Sequence, residues 1–204
     1  MRLQVIPRIL LITIFISSRF LASAQERNDV IRAYNEGAKT IQTDVPAAIK
    51  AFEEAIAIAE KVGEPANDLK EKVKNILPGL YVRVALNSLN DKKPAVETAA
   101  AARNALKVAE LYGNKTARGN AVKILVQAYN AMTIDYFNNK DYENALKTTD
   151  SLLALDPDYL TAINNRALIY RAQGNSVAFE QAIDMLIEKS RAANDTARVK
   201  QASV

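Results

Sequence analysis

The sequence has no cysteine, no histidine and no tryptophan, and only six glycines and six prolines in 204 residues. Without cysteine the chain cannot form a disulfide, use a thiol nucleophile or carry a lipid on a cysteine. Without cysteine and histidine it cannot build a Cys/His metal site, and an imidazole-based catalytic triad is excluded. The scarcity of glycine and proline also argues against a many-stranded sheet, which needs frequent turns.

Helix-forming residues are abundant instead. Nearly half of the residues are apolar, yet only 6% are aromatic, and alanine recurs throughout the chain. Alanine has the highest helix propensity and lets helices approach one another closely. The composition therefore predicts an all-α protein.

The formal charge of +4 comes mostly from the first 24 residues. Arg2, Arg8 and Arg19 lie there without any acidic residue, so three of the 27 basic residues belong to this segment. The remainder has 24 basic and 23 acidic residues. A chain so balanced lacks the basic surface that nucleic acid requires, and we expect no nucleic-acid partner.

The same 24 residues resemble a signal peptide. Two arginines precede an apolar run over residues 9–16, which is far shorter than the roughly 20 residues that span a bilayer. The run is followed by Ala22-Ser23-Ala24, a small-x-small pattern that predicts cleavage between Ala24 and Gln25. An uncleaved N-terminal anchor is the alternative. Either interpretation predicts an exported domain, and cleavage would leave no membrane span.

Apolar residues after Arg27 recur at helical spacing and are interrupted by loop signals. Asp141, Asp158 and Ser176 are the predicted N-caps of the last three helices, and Pro78 is expected to kink the helix that contains it. We expect residues 194–204 to form a polar, frayed tail. After the segment that begins near residue 28, the predicted helices cover roughly 46–62, 68–89, 95–112, 116–137, 141–155, 159–173 and 176–192.

Part of this pattern repeats. Asn130 and Tyr136 recur 34 residues later as Asn164 and Tyr170, whereas Ala51 and Ala55 recur after 50 residues as Ala101 and Ala105. Short connections between alternating helices predict antiparallel hairpins, and repetition predicts that the hairpins stack.

The segment from Asn139 to Ala145, continuing to Pro157, resembles the second helix of a tetratricopeptide repeat. Tyr136 before it, and Ala167 and Tyr170 after it, match first-helix positions of that motif. The resemblance is strong over residues 126–193, fair over 28–62, where Ala48, Phe52 and Ala55 carry it, and weak over 67–113. Thr149 departs from it by replacing the usual aromatic residue. The resemblance implies an α-solenoid of about four stacked antiparallel hairpins over residues 25–193, in a right-handed superhelix.

Tetratricopeptide domains bind peptides or partner proteins in a concave groove lined by first helices, and the resemblance implies such a groove here. Asn130 and Asn164 stand out because an amide can both donate to and accept from a peptide backbone; solvated helix faces without a partner are the alternative. Gln127 and Thr161 occupy positions where some members carry the basic residues that clamp a carboxylate, so that activity is not expected. The candidate groove residues are Gln127, Asn130, Ile134, Asn138, Asn164, Asn165, Leu168 and Arg171.

These observations favour a non-catalytic scaffold or adaptor in the periplasm or envelope of a bacterium, with a protein or peptide partner and neither cofactor nor metal. Asp150-Ser151-Leu152 and Asp195-Thr196-Ala197 resemble the O-glycosylation acceptor motif of exported Bacteroidota proteins, a phylum compatible with this interpretation. One alternative is a structural module that assembles into homo-oligomers through the open ends of the stack. A helical accessory subunit of an envelope enzyme is a third hypothesis.

The signal-peptide interpretation predicts the mass of the exported protein. Expressed as the full chain in a bacterial host with an export pathway, the protein recovered outside the cytoplasm should begin at Gln25, as measured by intact mass spectrometry. Retention of residues 1–24 would identify the segment as an anchor.

Overall fold

A computed structural model describes residues 25–202 of the chain, and these residues contain helices and turns but no strand. Helix α1 covers residues 25–40, and a short 3₁₀ turn, Glu64–Ala66, precedes α3. The other helices are α2 Val45–Val62, α3 Asn67–Asn90, α4 Ala95–Leu111, α5 Lys115–Asn138, α6 Tyr142–Leu155, α7 Leu160–Ala172, α8 Ser176–Ala192 and α9 Thr196–Ala202. The predicted all-α class of hairpins joined by short loops is confirmed.

Two sequence predictions fall partly or wholly outside this range. The predicted signal peptide, residues 1–24, lies outside the described residues, as does Ala24 on one side of its cleavage site. Gln25, on the other side, is exposed at the start of the described chain. Export and cleavage therefore stay predictions. No helix in residues 25–202 combines the length and apolar character needed to cross a membrane.

The described residues form two compact units. The first comprises the residues up to Val84 together with Lys107–Ala117. Its core is formed by apolar side chains of α1, α2 and the first part of α3, with Phe52 fully buried. The ring of Tyr34 meets that of Phe52 edge to face, with centroids 5.6 Å apart. Ile49, Val73 and Leu77 extend this core along α2 and α3.

The second unit comprises Ala85–Leu106 and the residues from Arg118 onward. Helix α6 packs on α7, α7 on α8, and α8 on α9. Small residues occupy many contact positions, and Ala145 and Ala167 are at most 1% exposed. Both alanines are among the residues that carry the repeat resemblance in the sequence, and both are buried.

The sequence predicts three N-cap residues, and the structure confirms one of them. Asp141 caps α6, because its carboxylate accepts a hydrogen bond from the backbone N–H of Asn144 at 3.2 Å. Hydrogen bonds from Asn144 also lower the pKa of Asp141. The predictions for Asp158 and Ser176 are wrong. Tyr159 precedes α7 without a side-chain cap, and Asn175 caps α8 by accepting from Ala178 N–H at 3.1 Å.

The C-terminal segment is more ordered than its sequence suggests. We expected a frayed tail over residues 194–204, but Thr196–Ala202 forms α9. The side chain of Asp195 accepts a hydrogen bond from the backbone N–H of Arg198 at 3.0 Å, and this bond fixes the first turn. Pro78, where the sequence predicts a kink, lies inside α3, and this helix continues beyond it to Asn90.

Gly37 offers a direct test of packing in the first unit. Helical glycine normally destabilises a protein, so Gly79→Ala on exposed, open helix surface should raise the free energy of unfolding by about 0.5–1 kcal/mol. At Gly37, however, an added Cβ would lie 2.9 Å from the ring of the buried Phe52. Gly37→Ala should therefore lower the free energy of unfolding by about 1–3 kcal/mol, as measured by urea denaturation. Equal stabilisation by both changes would contradict this packing.

Candidate functional site

Most of the candidate groove residues lie along two clefts of the second unit. The first, here named the Ile134 cleft, has a volume of about 150 Å³ and lies between α5 and α7. It brings together three predicted residues, Ile134 of α5 and, 31 and 34 positions later in the sequence, Asn165 and Leu168 of α7. The sequence analysis missed three further lining residues, Thr133, Phe137 and Ile169.

The walls of the Ile134 cleft are mainly apolar. Ile134 is 54% exposed, which is unusual for an isoleucine, and Phe137 and Leu168 are half-buried. Thr133 is buried with its hydroxyl occupied, since that group contacts the Thr148 hydroxyl at 2.8 Å and the Tyr129 carbonyl at 2.9 Å. The amide of Asn165 is the polar group with free donor and acceptor capacity in this lining. The cleft can hold an apolar side chain beside one hydrogen-bonding group.

The position of Phe137 in the cleft could have been predicted from its spacing in the sequence. It follows Ile134 by three positions, so the two side chains share one face of α5. That spacing predicts an apolar pair on the helix surface.

The second cleft, named the Arg171 cleft, has a volume of about 260 Å³ and is formed by α7, α8 and α9. It contains the predicted residues Asn164 and Arg171, and Leu168 lines it as well as the Ile134 cleft. Arg198 and Gln201 of α9 line the same cleft. Sequence analysis could not place these two residues here, because it treated their segment as a tail.

Asn130 lines neither cleft and makes a hydrogen bond within the protein. Its side-chain N–H group donates to the hydroxyl of Tyr159 at 2.8 Å, joining α5 to the start of α7. Its Oδ1 atom is buried without a hydrogen-bond partner. The amide of Asn130 is therefore held inside the protein, and the expectation that it binds a peptide backbone is not supported by its contacts.

The remaining predicted groove residues lie elsewhere. Gln127 and Asn138 are exposed on α5 and line neither cleft.

The two glycosylation-like motifs differ in the state of their hydroxyl residues. The Ser151 hydroxyl donates to the Lys147 carbonyl at 2.9 Å within α6, whereas Thr196 is exposed at the start of α9.

Three titratable groups of the first unit, Lys74, Tyr81 and Tyr112, have raised pKa values. Burial, strengthened by the hydrogen bond that Tyr81 donates to Glu53, raises the pKa of the Tyr81 hydroxyl. Burial also raises the pKa of Tyr112. The hydrogen bond with Glu71 raises the pKa of Lys74, whose ammonium lies 2.7 Å from that carboxylate. The bond between Tyr81 and Glu53 joins α3 to α2, and the bond between Lys74 and Glu71 lies within α3, so both have a structural explanation. Among residues 25–202, no group of three or more acidic side chains is placed to hold a metal ion.

The fold and these clefts define an all-α protein whose helices pack in consecutive pairs and which has two surface clefts in its second unit. No protein-family model matches the sequence, and no curated protein matches it. Solved structures that are similar to it include the following two. The MamA protein is 14% identical, covering 82% of this chain and 94% of its own, with a TM-score of 0.34. BtubC (BKLC) from P. vanneervenii is 15% identical, covering 85% and 92%, with a TM-score of 0.33. Likenesses at this level bear on neither partner nor activity.

The bond between Asn130 and Tyr159 predicts unequal effects at two repeat-related asparagines. Asn130→Ala and Asn164→Ala gain the same helix propensity, but only the first loses an internal hydrogen bond. Asn130→Ala should therefore leave a free energy of unfolding about 1 kcal/mol lower than Asn164→Ala, as measured by urea denaturation.

Tyr159→Phe completes the test. The double mutant with Asn130→Ala should recover part of the loss, giving a coupling energy of about 0.5–1.5 kcal/mol. Equal stability of the two asparagine variants and zero coupling would mean that the bond contributes nothing in solution.

Proposed function

We propose that this chain is an exported, non-catalytic scaffold of the tetratricopeptide type, which binds a segment of a partner protein along α5 and α7. The periplasm or envelope of a bacterium is its proposed location. The observation that carries the proposal is the Ile134 cleft, where the exposed Ile134, two half-buried apolar side chains and a free amide meet on two helices that are repeat-related in sequence.

The chemistry of this cleft suits a peptide better than a polar metabolite. Ile134, Phe137 and Leu168 offer apolar surface, and transfer of an apolar side chain from water to such surface is favourable by about 1.5–3 kcal/mol. The Asn165 side chain can donate from its NH2 group to a peptide C=O and accept from a peptide N–H through its oxygen. A partner segment with a single apolar anchor and an extended backbone would satisfy both features.

Membership of the tetratricopeptide family rests on the repeated residues and their burial. Ala145 on α6 and Ala167 on α7 match small positions of the motif, and both side chains are buried. Tyr136 and Tyr170, which match large positions, are half-buried and 34 residues apart. A scaffold role follows because stacked hairpins present long surfaces without a catalytic centre of their own.

The absence of catalysis is argued from residue types. The sequence contains neither cysteine nor histidine, the side chains that most often supply a nucleophile or a base near neutral pH. Tyr81 and Glu53, which form a short contact in the first unit, are engaged with each other across α2 and α3. Export is argued from the signal-like segment and its small-x-small end.

Capture of a partner by the full, tagged chain tests the proposal. The bait is expressed in the organism that encodes it, and proteins that co-purify from the envelope fraction are quantified by mass spectrometry. Ile134→Asn should reduce recovery of the specific partner about tenfold, because it removes one apolar anchor from the interface. Since Ile134 is already 54% exposed, the free energy of unfolding should change by less than about 0.5 kcal/mol.

Val177→Asn is the matched control. Val177 is 68% exposed on α8 and lines neither cleft, so this variant loses the same kind of surface without changing the site. Equal recovery with both variants would overturn the proposed cleft. Recovery of only further copies of the chain, with a mass that grows with concentration, would favour the self-assembling module instead.

A further inference from the structure

The Arg171 cleft differs from the Ile134 cleft in charge. Two arginines line it from different helices, Arg171 at the end of α7 and Arg198 on α9. Amides of Asn164 and Gln201 also face it, and none of the described residues that line it is acidic. Guanidinium and amide groups together supply many N–H donors and only two acceptors, so the cleft favours an anionic occupant.

The acidic residue that pairs with Arg198 also forms part of the local helix structure. Asp195 caps α9 by accepting from the backbone N–H of Arg198 at 3.0 Å, and its other oxygen lies 3.6 Å from the Arg198 Nε atom. A guanidinium has five N–H donors, and this pairing at Nε involves one of them. The arginine therefore retains donor capacity for a second carboxylate.

The floor of the Arg171 cleft is apolar. Leu168 and Ile183 are half-buried there, and Leu186 is 2% exposed. This combination separates the cleft from a simple anion site, because a free phosphate or sulfate gains nothing from aliphatic walls. A peptide that carries carboxylates beside an apolar side chain matches both parts.

Leu168 lines both clefts, so the two are neighbours along α7. A segment that places an apolar anchor in the Ile134 cleft can continue past Leu168 towards Arg171. We propose that the Arg171 cleft selects the partner segment by receiving an acidic stretch with an apolar residue in it. This inference rests on the proposed scaffold function and adds the chemistry of its ligand.

A peptide of defined sequence tests the inference with the full chain. The probe is the fluorescein-labelled, C-terminally amidated octapeptide Gly-Asp-Glu-Leu-Glu-Asp-Gly-Ser, and binding is followed by fluorescence anisotropy. We expect a Kd of about 100 µM or tighter at low salt. The neutral counterpart with Asn and Gln in place of Asp and Glu should bind at least about tenfold more weakly, as should the peptide with Ser in place of Leu. Raising NaCl from about 50 to about 500 mM should weaken binding of the acidic probe.

Variants assign the effect to the cleft. R171Q with R198Q should raise the Kd of the acidic probe at least about tenfold, since both charge-assisted contacts are lost. The control is K123Q with K200Q, which removes the same charge from exposed positions of α5 and α9 outside the cleft lining. The Arg198 backbone N–H that bonds to Asp195 is kept in R198Q, and far-UV circular dichroism checks that the helices are retained.

The inference is overturned if the acidic probe does not bind, if the neutral peptide binds equally well, or if the control pair weakens binding as much as the arginine pair. Binding that is independent of the leucine would also overturn it, because the site would then be a general anion site. The comparisons among peptides use the unaltered protein, so they hold even where a variant fails to fold. None of these outcomes decides the proposed function, which the Ile134→Asn capture tests separately.

Discussion

Close approach of neighbouring helices through alanine underlies the packing in both units. On α2, Ala48, Ala55 and Ala59 are at most 1% exposed, and on α4 Ala99, Ala102 and Ala105 are fully buried. A methyl group fills little space, so a facing helix can come near enough for larger side chains to fill the gaps beside the contact. At Gly37 even a Cβ atom would lie only 2.9 Å from the ring of Phe52, so the absence of a side chain makes room for that ring. The few large aromatic residues of the sequence are sufficient because so much of each contact is made by small side chains.

Such close contacts leave room for buried hydroxyl groups, and two pairs of them join helices of the second unit. Ser88 of α3 meets Thr98 of α4 with 2.9 Å between their oxygens, and Thr133 of α5 meets Thr148 of α6 at 2.8 Å. A buried hydroxyl without a partner would cost about 1–3 kcal/mol, so each pair favours one register of the two helices over a shifted one. Thr149 is fully buried, and its hydroxyl donates to the Leu146 carbonyl at 2.7 Å. That bond within α6 explains how threonine can stand where the repeat motif usually has an aromatic residue.

The sequence predicted the elements that depend on local periodicity and missed the features that depend on distant partners. Helix spans and the Asp141 cap followed from spacing along the chain. Ser176 was chosen wrongly because its neighbour Asn175 can also cap a helix and is the residue that does so, whereas α7 begins after Tyr159 without any side-chain cap. Asn130 was assigned to the groove from its repeat position, yet its partner, Tyr159, lies 29 residues away and no periodicity links the two. Helix α9 has only seven residues, too few for an isolated helix to be stable, and its existence depends on the Asp195 cap and on packing against α8. Because α9 was not predicted, its residues Arg198 and Gln201 were not recognised as lining the Arg171 cleft.

Exposed apolar side chains alone do not identify a binding surface, since every protein surface contains many. Leu111 and Val177 are more exposed than Ile134, at 69% and 68%, but neither lines one of the two clefts. Ile134 differs because Phe137 and Leu168 converge on the same concave surface, where a ligand atom can contact several walls at once. Concavity multiplies the contacts that one anchor makes, whereas a lone exposed residue offers a single contact. Leu168 then joins this apolar surface to the guanidinium groups of the next cleft. A ligand that spans both must carry its apolar and acidic groups in a fixed order, and that order, more than the area of either cleft, would determine which partner is bound.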